Sequence, residues 1–326
     1  MLDTIKIAIL VLDFSYSTED FRFLGWRKRY VESGKFYWFY KEKNGSQYPY
    51  ISIYTSPIGQ HYIWVSVSLP AFYHRGSNAV LLTEDEVKEA LYLLSIYVSE
   101  KSGIIFDADT ALVWNVDFAK DYYVGEDSIR PMIGRLSKMT ISRFLSGGYN
   151  ETTCYFHGIG AKGKKSPRTL CLYGKKEDAI AKGFSQADID ATDGMLRSEF
   201  RYRDKRAVYR FCDTLGLPNH QAGTVFTQAV SDKVLAPIEK QILLLHEQSS
   251  TKEQIYRLIE KYGKRHTRGL ISFLFIKDNF GTNFYKNESL GYSRSHYRAC
   301  LKECREIGVW SLSEKSKMPI KVDDLP

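Results

Sequence analysis

Three short stretches of the 326-residue chain carry side chains that a purely structural sheet does not need. In "RTLCLYGKKED", Tyr173 ends an apolar run and is followed by Gly174, Lys175 and Lys176. Cations beside a phenol favour its ionised form, a phenolate is a nucleophile, and the same cations attract a phosphate. In "WNVDF", Asn115 and Asp117 point to one side of an apolar strand; in "RSEFRYR", Glu199 stands between Arg197 and Arg201. A carboxylate on each of two strands could hold a divalent cation through hard oxygen ligands. A phosphate polarised by that cation would then be open to attack by the tyrosine. Two plainer readings stand beside this one. Tyrosine is common here, with 23 in the chain, and either carboxylate could simply pair with the neighbouring arginines.

The elements that must position these residues are legible as patterns. "MLDTIKIAILVLDFS" reads as a first strand rather than a leader peptide, because no small-residue cleavage site follows its apolar run. Aromatic and β-branched residues then alternate from 35 to 72, broken by the turn signals "KNGSQ" and "SPIGQ", which predicts an antiparallel meander. Thr83 and Glu86 form a capping box, Gly103 ends the segment, and Val87, Leu91, Leu94 and Val98 mark the buried stripe of a helix. "TALVWNVDFAKDYYV" is a strand, a second helix is expected within 126–146, and "TTCYFHGIG" and "RTLCLYGK" are strands joined by the basic loop "AKGKKSPR". "MLRSEFRYRDK" is a further strand with Arg197, Glu199 and Arg201 on one face. The fold class expected is α+β, a central antiparallel sheet with flanking helices.

Beyond about residue 204 the strand signals fade. "DKRAVYRFCDTLGL", "KVLAPIEKQILLLHEQ" and "TKEQIYRLIEKYGK" are helical, and "KNESLGYSRSHYRACLKECREIGVW" reads as a short helix, a turn at Gly291 and a basic helix capped by Ser293. That outline fits a helix-turn-helix, with Arg294, His296 and Arg298 in the early turns; many helical hairpins share it. The expected division is 1–210 for a sheet domain and 211–326 for a mostly helical one. No internal repeat stands out. Five cysteines at irregular spacing do not form a disulfide framework, and Cys300 and Cys304, four apart, lack a histidine partner at zinc spacing. The net charge is +8 and aromatic residues make up 14%. A basic chain rich in interleaved aromatics suits a polyanion with unpaired bases, so single-stranded nucleic acid is the partner composition favours. No apolar run reaches the length of a membrane span.

In the order of its motifs the chain resembles the replication initiators of filamentous phages, the gene II and gene X proteins, and their plasmid relatives. "VSVSLPAFYHRGSN" from Val65 to Asn78 is similar to a family stretch, as are "VWNVDFA" around Asp117, the Arg168–Lys175 segment, the strand around Glu199, and "SRSHYRACLKECREIGV". The chain departs from the pattern at Ser66, where relatives often carry Glu, and at Ser77, where they often carry His. The resemblance implies a rolling-circle nickase fold and a tyrosine endonuclease. Tyr173 would be the nucleophile, and Lys175 would neutralise phosphate charge. Asn115-Val116-Asp117 would stand where such enzymes carry a His-hydrophobic-His metal motif. Asp117, Glu199 and Asn115 would then bind Mg²⁺ or Mn²⁺, with His61, His74 or His157 as a further ligand and His157 the best placed. Arg168, Arg294, His296 and Arg298 would bind DNA. The partners implied are origin DNA in duplex and single-stranded form, a host helicase and a polymerase, with no membrane, in the host cytoplasm. The alternative is a regulator that binds an origin or single-stranded nucleic acid without cutting it.

Overall fold

The computed structural model describes residues 1–11, 21–22, 24–30, 36–42, 47–56, 58–139, 141, 143–160, 163–247, 251–280 and 293–306. The chain is α+β, built on one large antiparallel sheet of ten strands in the order β2-β3-β4-β5-β1-β6-β10-β9-β8-β7. The strands are β1 (Leu2–Val11), β2 (Arg27–Tyr30), β3 (Phe36–Tyr40), β4 (Tyr50–Thr55), β5 (His61–Ser68), β6 (Leu112–Tyr123), β7 (Phe144–Asn150), β8 (Thr153–Ile159), β9 (Lys165–Gly174) and β10 (Met195–Tyr202). The order contains a repeat that the sequence does not show. β1 pairs with β5 at the end of one meander, and β6 pairs with β10 at the end of a second. The two first strands then pair with each other at the centre. Strand β7 falls where the sequence suggested the end of a helix; α3 below occupies only the middle of that stretch.

The helices are α1 (Leu69–Tyr73), α2 (Glu84–Ser102), α3 (Ile129–Leu136), α4 (Lys175–Ala181), α5 (Gln186–Ala191), α6 (Lys205–Thr214), α7 (Ala222–Val225), α8 (Gln228–Glu247), α9 (Thr251–Phe280) and α10 (Arg294–Glu306). Helix α2 starts at the expected capping box, ends at Gly103 with φ 70, and buries Val87, Leu91, Leu94 and Val98. It lies on the face that carries Trp38, Ile51, Ile53, Ile63 and Val65. Lys101 at its end accepts from Trp26 Nε1 at 2.8 Å and sits over the Tyr40 ring. Helix α6 begins at Asp204, whose side chain accepts from Ala207 N at 2.7 Å. It sets Phe211 against Phe118 and Tyr202 on that same sheet face. One face is therefore covered by helices and holds the apolar core. The other is left for polar and aromatic side chains, because strand alternation separates the two sets residue by residue.

The described residues divide into two compact units, one of Met1–Ile133 and Ile141–Pro237, the other of 134–139 and the described residues that follow Pro237. The sheet-bearing unit thus includes α6, α7 and the start of α8, past the residue-210 limit read from the sequence. In the second unit, Leu258, Leu270, Phe273, Leu274, Tyr297, Cys300 and Cys304 form an apolar cluster. Cys300 and Cys304 serve there as small apolar side chains, and burial raises the Cys300 thiol above its ordinary range. Helix α10 starts as expected, with Ser293 Oγ accepting from His296 N at 3.2 Å. The short helix and the turn at Gly291 lie outside the described residues, as does most of "KNGSQ". Among the described residues, no helix is long and apolar enough to cross a membrane.

The capping box gives the first expected outcome. Thr83→Ala removes the oxygen that accepts from Glu86 N, and the stability of the chain should fall by about 1 kcal/mol in denaturant titration. Loss of less than a few tenths would mean that Glu86 alone satisfies the helix start.

Candidate active site

The sheet register assembles the three stretches on the opposite face, where α4 and the loop after α1 close over them and bury Asp117, Arg197 and Glu199. Arg201 lies opposite Asp117 on β6 and opposite Thr169 on β9. Glu199 lies opposite Cys171, and Arg197 lies opposite Tyr173. Cys171 in turn faces Tyr155 on β8. Asp3, Asn78, Asp117, Tyr155, Tyr173, Glu199, Arg201 and Arg203 border one cavity of about 650 Å³, walled on one side by Asp178, Ala181 and Phe184.

Within it Glu199 and Asp117 each have a guanidinium partner. Tyr173 Oη donates to Glu199 Oε1 in a short hydrogen bond. Arg201 Nε donates to Glu199 Oε2 at 2.8 Å. Arg203 Nη2 donates to Asp117 Oδ2 at 2.8 Å, and Arg201 Nε is 3.9 Å from the same oxygen. The plainer reading of the carboxylates, as ion-pair partners of nearby arginines, therefore describes their contacts. Asp117 Oδ1 is buried and has no partner among the described residues. Burial pushes the Asp117 carboxyl up to about 7, against the pull of Arg203, and the Glu199 charge adds to the rise.

Beneath this pair lies a second network. Arg197, fully buried, donates from Nε and Nη2 to Asp121 at 2.6 and 2.8 Å, and to the carbonyls of Asn78 and Ala79 at 2.9 Å each. Asn78 Nδ2 donates to Asp3 Oδ1 at 3.2 Å, and Ser68 Oγ donates to the same oxygen at 2.8 Å. Burial works to raise the Asp3 carboxyl, but Arg197 and these two donors outweigh it and hold Asp3 below its ordinary range.

The expected roles of the lysines change. Lys175 Nζ is buried and committed to Asn78 Oδ1 at 3.0 Å and Asp178 at 2.8 Å, and it lies 5.8 Å from the centre of the Tyr173 ring. Lys176 pairs with Glu126 and Asp193. Neither aims at the Tyr173 oxygen. Burial, reinforced by the Glu199 charge, pushes the Tyr173 phenol well above its ordinary range. The hydroxyl is thus a neutral donor to a carboxylate, not the cation-stabilised phenolate that its sequence neighbours suggested.

The four expected metal ligands do not converge. Asn115, with its amide oriented by its neighbours, donates to the carbonyls of Arg203 and Trp114. His157 faces Thr169 and packs on Gly147. Neither borders the cavity. Both Glu199 oxygens are occupied, and among the described residues no three of His, Cys, Asp and Glu surround one point. As arranged, the set does not fit the expected cation; Arg201 and Arg203 supply the positive charge there. Arg168, one strand position out of phase with Tyr173, projects to the opposite face of the sheet. His296 and Arg298 are exposed on α10, in the other unit.

The same polar face of the sheet continues across the first meander. Trp64 and Trp114 have ring centres 4.6 Å apart, with Lys6 Nζ 3.9 Å over Trp64 and Tyr54 at its far side at 6.0 Å. Lys205 Nζ lies 5.0 Å over Trp114. The bulge between Lys6 and Ile7 allows Trp114 to reach this side beside Asn115. The functional residues missed in the sequence are Asp3, Asn78, Arg203 and this aromatic pair. The "R-x-E-x-R-x-R" alternation continues to Arg203 and could have revealed it.

Asp117 gives a pH signature. Below about pH 4 both folded and unfolded chains carry its proton. From there to about 7 the folded chain holds a proton that the unfolded chain has lost, so its contribution to stability falls as pH rises through that window. Asp117→Asn should remove this slope, and between pH 5 and 7 the variant should gain about 2 kcal/mol on the wild type in thermal unfolding. Parallel pH profiles for the two chains would mean that Asp117 is ionised throughout.

No family model matches the chain, no curated protein matches it, and no solved structure matches it.

Proposed function

We propose that the chain is a DNA strand-transfer enzyme that nicks one strand of a replication origin through Tyr173. The observation that carries this reading is the Tyr173–Glu199 hydrogen bond at a cavity bordered by Arg201 and Arg203. A phosphodiester entering the cavity would compete with the carboxylates for both guanidinium groups, which suit phosphate oxygens. Glu199, released from Arg201, is then the base that takes the phenol proton as the oxygen attacks phosphorus. The new bond is Tyr173 Oη–P, the bond broken is P–O3′, and the leaving 3′ oxygen takes up a proton to become a hydroxyl. Reversal of the same step rejoins a strand. A high phenol pKa suits this order, because the nucleophile stays protonated until substrate has freed its base. Trp64, Trp114 and Lys6 on the same face supply stacking surfaces for unpaired bases.

The second unit is the candidate for duplex binding. Lys264, Arg265 and Arg268 on α9, and Arg298 and Lys302 on α10, are exposed. A host helicase and polymerase would follow the nick.

One observation favours the binding-only alternative: Tyr173 is buried, and its oxygen is already satisfied. Supercoiled plasmid carrying the chain's gene and its flanks, incubated with Mg²⁺ or Mn²⁺ and with chelator, separates the two readings on denaturing gels run with and without protease. The enzyme leaves a protease-sensitive adduct; the binding protein leaves none. Tyr173→Phe should abolish the adduct and keep DNA binding. Glu199→Gln should lower the cleavage rate by at least about 100-fold. Full cleavage by Tyr173→Phe sinks the assignment.

Replacing Arg294 and Arg298 by Ala should weaken duplex binding and reduce the slope of log K on log salt by about 1 to 2. Cleavage of a single-stranded origin oligonucleotide should stay at the wild-type rate. An equal loss of both activities would place α10 in the cleavage machinery.

A further inference from the structure

A second cavity, of about 410 Å³, opens on the helix-covered side of the sheet, away from Tyr173. Arg168 at its wall is five residues from Tyr173 along β9, about 16 Å in an extended strand. Its border is unusual in charge. Arg143, Arg168, Arg206 and Arg210 all line it, against one carboxylate, Asp204. Asp204 is engaged in capping α6 through Ala207 N. Among the described residues none of the four arginines has an ion-pair partner. Arg168 is half-buried, with its guanidinium stacked 5.4 Å from the centre of the Phe144 ring and its Nε donating to Ser166 Oγ at 3.4 Å. Burial, and after it the nearby charges of Arg143 and Arg210, hold its basicity below the ordinary arginine range. Uncompensated positive charge of this kind opposes folding unless an anion relieves it.

A second observation is independent of charge. Tyr202 also lines the cavity and is 1% exposed, yet among the described residues its hydroxyl has no hydrogen-bond partner. Buried polar atoms in folded chains are nearly always satisfied, so an orphan hydroxyl beside a polar cavity marks a position that a ligand atom can fill. Phe144, Phe211, Pro167 and Ile159 add an apolar part to the border, beside Ser166 and Thr214.

We propose that this cavity binds a nucleotide, its phosphate held by Arg206, Arg210 and Arg168 with the Tyr202 hydroxyl, and its base against Phe144 and Phe211. The ligand is either a free nucleotide or a nucleotide unit of a strand; the chemistry is the same. The site does not depend on the Tyr173 reaction, so its test is binding alone.

The full chain is titrated calorimetrically at low ionic strength with pyrophosphate, a deoxynucleoside monophosphate, a deoxynucleoside triphosphate and a short oligothymidylate. Arg206 and Arg210 are exposed on α6, so their double replacement by Ala preserves the fold, as circular dichroism would verify. That variant should bind the best probe at least about tenfold more weakly. Tyr202→Phe should weaken it several-fold while raising the thermal midpoint of the unliganded chain, because it removes the orphan hydroxyl. Tightest binding of a mononucleotide identifies a free nucleotide; tightest binding of the oligothymidylate, lost in the double variant, identifies a strand. Binding of pyrophosphate as tight as that of any nucleotide overturns the base contact. No binding of any probe, or equal binding by the double variant, overturns the site.

Discussion

The arrangement around Tyr173 depends on one buried cation. Arg197 has no exposed surface, and removing a guanidinium from water costs several kcal/mol unless its donors are met. Here Asp121 takes two of them and the carbonyls of Asn78 and Ala79 take two more. The bond to Asp121 ties β10 to β6, and the bonds to the carbonyls bring the loop after α1 down onto the sheet. Asn78 is then held so that its side chain bridges Asp3 and Lys175. Removing Arg197 would leave Asp121 uncompensated and release a wall of the cavity. The cation therefore acts on Tyr173 through geometry rather than by touching substrate.

Above that base, the side chains stand in pairs. Arg201 with Glu199 and Arg203 with Asp117 make a site in which each guanidinium faces a carboxyl group and which is rich in donors. Pairing makes the burial of Glu199 and the two guanidinium groups tolerable, and the residual cost is visible at Asp117, whose second oxygen has no partner among the described residues and whose carboxyl is pushed up to about 7, so that it holds its proton below that pH. Such pairs are also exchangeable. An entering anion offers the guanidinium groups the same hydrogen bonds that the carboxylates do, so the proposed substrate would rearrange partners without first creating unpaired charge.

Much of this was legible in the sequence where a local rule governs it. The capping box of α2, the alternation in β6, β9 and β10 and the cap of α10 are encoded within a few residues, and the structure follows them. The pairing of β8 with β9 was also foreseeable, because one loop joins them. What was not legible depends on contacts distant in sequence. Lys175 and Lys176 sit beside Tyr173 in the chain, yet one turns to Asn78, 97 residues away, and the other to Glu126. Proximity in sequence therefore misjudged the phenol, whose environment is set by burial and Glu199. Asp3 lay hidden because a bulge between Leu2 and Ile5 turns it toward Asp117, and no period-2 pattern announces a bulge. The repeated topology of the two meanders escaped notice because it is a matter of strand order, which side-chain type does not record.

That repeated topology assigns different work to its two halves. The second meander, with β6 as its first strand, supplies Asp117, Tyr173, Glu199 and Arg201. The first, beginning at β1, presents Tyr54, Trp64 and Lys6 on the same side of the sheet. The two sets meet at the β1–β6 pair, where both bulges lie: one brings Asp3 toward Asp117, the other brings Trp114 toward Trp64. An antiparallel pair without bulges would have sent one residue of each couple to the helix-covered face. Under the proposed reading this seam matters for substrate binding. A single strand stacked on the tryptophans runs across the seam with its backbone directed toward Arg203 and Arg201. The irregularities in the central pair are then what makes a stacking surface and a charged cavity into one continuous path.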